Sequence, residues 1–154
     1  ITTHLANLQG KLDIPILAAG GIVNAQTASA AALLGAEGAF VGTRFLACTE
    51  SPCSEGAKEV IVNARAQDLI VMPIDPLRIR VTRTPLSERI VEEYKQGVDA
   101  DTLFEEAGIA VALWNSMRDG NFDEYAVGMS CAVDMITSVL SAQEIVDDIA
   151  SAWV

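Results

Sequence analysis

Two pairs of small residues have the type and spacing to bind an anion. They are Gly20-Gly21, the first glycine loop, and Gly42-Thr43, the second glycine loop, and each follows a short apolar segment. The two loops are about 21 residues apart, which is the length of one unit of strand, helix and strand. Glycine leaves main-chain N–H groups uncovered, so a phosphate can approach them closely. If the apolar segments are adjacent parallel strands, the two loops lie at one edge of the sheet and form a phosphate site.

The elements that must position these loops are two parallel strands and the helix between them. Residues 14–19 and 38–41 are apolar without polar alternation, which is typical of strands covered on both faces. Between them, Asn24 can cap a helix that continues to Leu34, and Gly35 suits its left-handed exit. The alanines of this segment favour a helix that packs closely on a sheet. The sequence therefore predicts a βαβ unit, preceded by a short helix at residues 3–11.

Beyond this unit the pattern changes. Ser51-Pro52 is typical of a helix N-terminus. Residues 68–86 contain three prolines and β-type alternation, which indicates an extended segment with one strand. Helical spacing of apolar residues then returns, including a stripe from Leu103 through Ala107 and Val111 to Trp114. Ser141–Glu144 is a capping box that predicts a last helix.

The composition excludes several classes of partner. The chain has 154 residues with 21 acidic and 10 basic side chains, so its net charge is −11. Such a charge argues against nucleic acid and against anionic membrane surfaces. The sequence contains no run of eighteen apolar residues that could cross a membrane. Three cysteines are too few for a disulfide framework, so we expect reduced thiols in a cytoplasmic protein.

The other reactive side chains form no recognisable catalytic set. His4 is the only histidine, and a lone imidazole rarely performs acid–base chemistry. Cys48 and Cys53 lack the further ligands that zinc needs, so we predict no metal site. The sequence also lacks a Ser/His/Asp arrangement and a Walker loop. We therefore assign no catalytic residue to this chain.

At the motifs Ala18–Ile22 (AAGGI) and Gly42–Phe45 (GTRF), the chain resembles the C-terminal part of the nitronate monooxygenases. It is equally similar to the flavin-dependent enoyl-acyl-carrier-protein reductases of the same superfamily. The resemblance implies an α/β fold: the last two strands of a (β/α)8 TIM barrel followed by a mostly helical tail. We expect residues 1–66 to hold the barrel units, residues 67–86 an extended excursion, and residues 87–154 the helical region.

The resemblance also implies an FMN cofactor. Its phosphate would bind the amides of Gly20, Gly21, Gly42 and Thr43, with Ala19 beside them at the end of the first strand, and the Thr43 hydroxyl could donate to it. In such enzymes the flavin ring carries the chemistry and the protein supplies orientation and a base.

Two features separate this chain from the family pattern. The family's catalytic histidine would lie upstream of the first strand, so we expect a C-terminal portion that is inactive alone. The family often has Gly-Gln in the C-terminal region, whereas Gly128 is followed here by Met129.

Four arginines leave a choice between ligand binding and ion pairing. On a strand, Arg78 and Arg80 would point the same way and could recognise a phosphate, such as that of NADPH or of a carrier-protein arm. More commonly, such arginines pair with nearby carboxylates. The same two alternatives apply to Arg44, which follows the second glycine loop. The carboxylates that could pair with Arg78, Arg80 and Arg83 are Asp75, Glu88, Glu92 and Glu93.

The sequence thus predicts an FMN-dependent oxidoreductase of the nitronate monooxygenase type, which oxidises alkyl nitronates with O₂. A close alternative keeps the flavin but has NAD(P)H reduce it, with an enoyl thioester as the acceptor. A non-redox barrel synthase or lyase, or a non-catalytic interaction module, is a further alternative. Expected partners are a small-molecule substrate, NAD(P)H in the second reading and a second copy of the chain, but neither nucleic acid nor membrane.

Overall fold

The computed structural model describes residues 2–74, 77–106, 114–115, 117–120 and 126–154. Its architecture is α/β. The first part contains α1 (Thr2–Leu8), β1 (Leu17–Ala19), α2 (Ala25–Leu33), β2 (Gly38–Phe40), α3 (Thr43–Leu46) and α4 (Glu55–Asn63). The second part contains β3 (Ile70–Ile74), β4 (Leu77–Val81), α5 (Pro85–Lys95), α6 (Ala100–Glu106) and α7 (Ala142–Ala150). Three short 3-10 helices lie at Ala66–Asp68, Cys131–Met135 and Ser151–Trp153.

The predicted βαβ unit is confirmed. β1 and β2 pair in parallel, with Ala18 opposite Ala39, and α2 connects them. The Asn24 side chain accepts the Thr27 N–H at 3.0 Å, and Gly35 has a φ of +95° at the helix exit. β1 begins only at Leu17, three residues after the predicted start at Ile14, because proline at position 15 has no N–H for the ladder.

Only one face of this parallel pair is covered within the described residues. Ala18 is buried with α2 and with Ile145 and Ile149 of α7. Leu17 and Phe40, on the opposite face, are 61% and 70% exposed. The expectation of two covered faces is therefore wrong for the described part of the chain, since none of its elements packs on the second face.

The segment after β2 differs from the prediction in two respects. One helical turn, α3, follows the second glycine loop and was not predicted. The next helix, α4, begins at Glu55 instead of at Ser51-Pro52, because the Ser54 hydroxyl accepts the Ala57 N–H at 3.2 Å and caps it there.

The predicted extended segment forms a two-stranded hairpin instead of a single strand. β3 and β4 are antiparallel, with Met72 opposite Ile79. Residues 127–129 run along the other edge of β4: the Thr82 N–H donates to the Val127 carbonyl, and the Met129 N–H donates to the Arg80 carbonyl, both at 3.0 Å. This segment therefore fixes the hairpin against the C-terminal region.

The C-terminal region confirms the predicted capping box. The Ser141 hydroxyl accepts the Glu144 N–H, and the Glu144 carboxylate accepts the Ser141 N–H at 2.8 Å. The α-helix ends at Ala150, and a 3-10 turn follows to Trp153. Ala107 and Val111 of the predicted apolar stripe lie outside the described residues. In the described part of the chain, every helix is too short or too polar to span a bilayer.

Candidate functional site

The two glycine loops line one cavity of about 580 Å³, a volume typical of small-molecule sites. The hairpin contributes Arg78, Ile79 and Arg80 to the opposite side, and residues 128–130 complete the lining. All five residues predicted to bind a cofactor therefore lie around a single space: Ala19, Gly20, Gly21, Gly42 and Thr43.

The backbone of the first glycine loop requires glycine. Gly20 and Gly21 have φ values of +89° and +78°, which side chains rarely tolerate. A Cβ atom added at Gly20, Gly21 or Gly42 would meet no heavy atom within 4 Å. The space beside these main-chain groups is therefore open to a ligand.

The amides of Gly21, Gly42 and Thr43 donate to no acceptor in the described part of the chain. The amide of Val23, two residues after Gly21, donates to Oγ1 of Thr27 at 2.9 Å and so belongs to the cap of α2. Uncommitted amides beside a cavity are suitable donors to an anion.

Thr43 is also bonded to a residue that the sequence did not indicate. Its Oγ1 accepts the N–H of Ser130 at 2.9 Å, and Ser130 lines the same cavity. This bond uses a lone pair of the hydroxyl and leaves its proton free to donate. The Thr43 hydroxyl can therefore accept the Ser130 N–H and donate to a ligand at the same time.

Met129, which follows Gly128 where the resemblance led us to expect a glutamine, is 6% exposed and packs in an apolar cluster that includes Val23, Ala47 and Ile61. Its backbone N–H donates to the Arg80 carbonyl of β4, and its side chain position is part of the cavity lining. The thioether is a weak acceptor and cannot replace an amide as a hydrogen-bond donor.

The three arginines at positions 78, 80 and 83 have different environments. Arg83 forms an ion pair with Glu88 at 2.9 Å, as one of the two alternatives predicted. Arg78 donates to the Tyr94 hydroxyl at 3.2 Å and lies over its ring at 5.2 Å. Arg80 is exposed, lines the cavity and forms no ion pair with the described residues. Of the other predicted partners, Glu92 pairs with Lys95 and Glu93 with Arg89, and Asp75 lies outside the described residues.

Arg44 does not form the ion pair that was one of its two predicted alternatives. It is only 4% exposed, and its Nη1 donates to the Ser138 carbonyl at 2.8 Å. It has no carboxylate partner at ion-pair distance among the described residues. Burial lowers the pKa of its guanidinium, while the nearby Cys48 and Asp148 act in the opposite direction.

The residues to which we assigned no chemistry lie elsewhere. His4 is exposed on α1 and does not line the cavity. Cys48, Cys53 and Cys131 form no disulfide among the described residues. The described residues contain no group of His, Cys, Asp or Glu that could hold a metal.

Comparison with protein families gives one match over almost the whole chain: the profile of the nitronate monooxygenase family matches residues 2–151. Nitronate monooxygenase npaC of Metarhizium robertsii is 42% identical over 64 residues, which cover 42% of this chain and 18% of that protein. A probable nitronate monooxygenase of Staphylococcus aureus (strain JH9) is 40% identical over 60 residues, which cover 39% of this chain and 17% of that protein.

Solved structures also resemble this chain over its full length. FabK from Thermotoga maritima superimposes with a TM-score of 0.86 at 27% identity, covering 99% of this chain and 48% of that one. A nitroalkane oxidase from Streptomyces ansochromogenes, at a TM-score of 0.73 and 22% identity, covers 99% of this chain and 43% of that one and shares the fold. The chain thus spans about half the length of these structures.

Proposed function

This chain belongs to the nitronate monooxygenase family, and we propose that it forms part of an FMN-dependent oxidoreductase that oxidises alkyl nitronates with O₂. In this proposal, β1 and β2 are strands of a (β/α)8 barrel, and the two glycine loops bind the FMN phosphate. Bound FMN would supply the redox chemistry, while this chain's residues bind and orient it.

The observation that carries the proposal is the charge of the cavity lining. The chain has 21 acidic residues, yet no aspartate or glutamate is among the described residues that line the cavity. The lining instead contains Arg78, Arg80 and the uncommitted amides of Gly21, Gly42 and Thr43. Such a surface attracts a phosphate dianion, whereas a carboxylate would repel it.

Apolar side chains of the same cavity fit the other half of a flavin. Ile22, Phe40 and Leu46 line it beside the glycine loops, and Phe40 is largely exposed. A planar aromatic ring can bury its faces against such side chains. No histidine or carboxylate lines the cavity among the described residues, so we assign no catalytic base to this chain.

The test is the affinity of the intact protein for FMN and for riboflavin, which lacks the phosphate, measured by quenching of flavin fluorescence. Gly21→Asp places a carboxylate beside the amides and should abolish the preference for FMN. Gly97→Asp is the matched control, because Gly97 also has a positive φ, +94°, and open space, but it does not line the cavity. Equal binding of FMN and riboflavin by the wild type would refute the phosphate site.

A second candidate, in which NAD(P)H reduces the flavin and an enoyl thioester accepts the electrons, is favoured by two observations. The FabK structure is similar at 27% identity. Arg80 also offers a cation to the cavity, where it could bind a phosphate of NADPH. Anaerobic mixing with NADPH in a stopped-flow instrument distinguishes the candidates: rapid bleaching of the flavin supports the reductase, and its absence supports the monooxygenase. A colourless intact protein that binds no flavin would favour a non-redox synthase or lyase.

A further inference from the structure

We propose that Arg44 is a positioning residue for the phosphate site: by binding the Ser138 carbonyl, it holds the second glycine loop in the conformation that receives the phosphate. The inference rests on the proposed function, since the phosphate is that of FMN. The affinity for phosphate would then depend on Ser138, which follows the loop by more than ninety residues.

The second glycine loop has little local support. The helix that begins at its second residue, α3, has only four residues, and its N-cap is Gly42, which provides no side-chain cap. A single helical turn is marginal in water, because most of its backbone groups have no intrahelical partner. The direction of the Gly42 and Thr43 amides must therefore be fixed by tertiary contacts.

Two successive residues of α3 supply such contacts. The Thr43 Oγ1 accepts the Ser130 N–H at 2.9 Å, and the Arg44 Nη1 donates to the Ser138 carbonyl at 2.8 Å. The first bond joins two residues of the cavity lining, whereas the second is part-buried and joins two residues outside that lining. Together they attach the side chains of two successive residues, the second of which follows directly on the loop, to the segment 130–138.

The buried site of Arg44 suits a directional bond. A small polar cavity of about 130 Å³ lies between Arg44, Ser138 and Asp148. Oδ2 of Asp148 accepts the N–H of Ala25, the first residue of α2, which follows the first glycine loop. The C-terminal region is therefore bonded to both loops: to the second loop through Arg44, and to the residues just after the first loop through Asp148. A charged donor to a carbonyl in such a place forms a stronger bond than a neutral one.

The experiment compares FMN with riboflavin in Arg44→Met and in a matched control, Lys58→Met. Lys58 is also a buried cation at 4% exposure, it also donates to a carbonyl, that of Thr49, and it does not line the cavity. Arg44→Met should weaken FMN binding about tenfold and leave riboflavin binding within twofold. Lys58→Met should lower the denaturant midpoint without changing the ratio of the two affinities. Arg44→Lys, which keeps a charged donor, should recover part of the loss.

Other outcomes overturn the inference in distinct ways. Equal weakening of FMN and riboflavin by Arg44→Met would show a general structural role, and unchanged affinities for both would show that Arg44 has no role in binding. If Arg44→Met does not fold, the same ratio is measured in Arg44→Gln, whose shorter neutral side chain should also reduce it; an unchanged ratio there rejects the inference. If the wild type itself does not prefer FMN, the phosphate site has failed, and not only the role of Arg44.

Discussion

The Oγ1 atom of Thr43 lies 2.9 Å from the amide nitrogen of Ser130, which follows it by 87 residues. One segment, residues 127–130, therefore contacts both sides of the cavity, since the Met129 N–H also donates to the Arg80 carbonyl of the hairpin at 3.0 Å. The cavity is not formed by the βαβ unit alone. Its second glycine loop and the hairpin strand that carries its arginines are both bonded to the same C-terminal segment.

Replacement of Thr43 tests this double role. Thr43→Val removes a donor to the phosphate and leaves the Ser130 N–H without its acceptor, so we expect FMN affinity to fall about tenfold. Thr43→Ser keeps the hydroxyl and should bind FMN within about twofold of the wild type. Titration of the flavin with each variant measures both effects.

A threonine with the same type of bond provides the control. The Thr82 Oγ1 accepts the Val127 N–H at 2.9 Å, but Thr82 does not line the cavity. Thr82→Val should lower the free energy of unfolding by about 1–2 kcal/mol and leave FMN affinity unchanged. If Thr82→Val weakened FMN as much as Thr43→Val, the loss would reflect stability and not a contact with the phosphate.

Arg80 distinguishes the two candidate reactions. For a nitronate monooxygenase, Arg80→Gln should weaken FMN binding but leave nitronate turnover of the FMN-saturated enzyme within about twofold, because no dinucleotide phosphate binds there. For the reductase, the same change should raise the KM for NADPH about tenfold and leave that for NADH nearly unchanged. Arg83→Gln is the control, because Arg83 pairs with Glu88 and does not line the cavity. Steady-state assays with each electron donor give the answer.

Stability should fall in acid because two carboxylates support the start of α7. Glu50 accepts the Thr49 hydroxyl and the Ala142 N–H, both at 2.8 Å, and these bonds lower its pKa. The Ser141 hydroxyl and N–H likewise lower the pKa of Glu144. Both pKa values are lower in the folded state, so the stabilisation is fully present above the ordinary glutamate value of about 4.5. It decreases below that value and is lost as the pH falls through the folded-state pKa.

Denaturant unfolding at a series of pH values from neutral to acid measures this dependence. Glu50→Gln should flatten the acid decrease in the free energy of unfolding. Glu59→Gln, which changes an exposed carboxylate of α4, should leave the slope as in the wild type. A wild-type slope in Glu50→Gln would mean that Glu50 does not support α7.

The features of the site that depend on a few neighbouring residues could be predicted from the sequence. Asn24 caps the start of α2 with a local hydrogen bond, and Gly35 ends it with a positive φ. Both ends of the helix were therefore predictable. The partners of Thr43 and Arg44 were not, because Ser130 and Ser138 are ordinary serines whose only distinction is a contact 87 or 94 residues distant in the chain. Ser130 and Ser138 form these bonds with main-chain atoms, which every residue type has, so the sequence gives no sign of them.

The hairpin and the arginines show the same limit. The prolines of residues 68–86 suggested a single strand, yet β3 accommodates Pro73 opposite Arg78 near its end. The charge pattern gave the pairing of Arg83 with Glu88, which are five residues apart. It could not show that Arg80 would lie beside the cavity, since that depends on how the hairpin is held by residues 127–129.

The Met129 position gives a final prediction. Its side chain is buried at the cavity, so Met129→Gln places an amide in an apolar cluster and should cost about 1–3 kcal/mol without ligand. With FMN bound, the amide gains a polar partner in the cavity, so FMN should raise the Tm of Met129→Gln more than that of the wild type. Met72→Gln is the control: Met72 is 1% exposed in the separate cluster under the hairpin and does not line the cavity. The loss of Tm caused by Met72→Gln should be the same with and without FMN. If the loss caused by Met129→Gln were also the same with and without FMN, residue 129 would have no contact with the flavin.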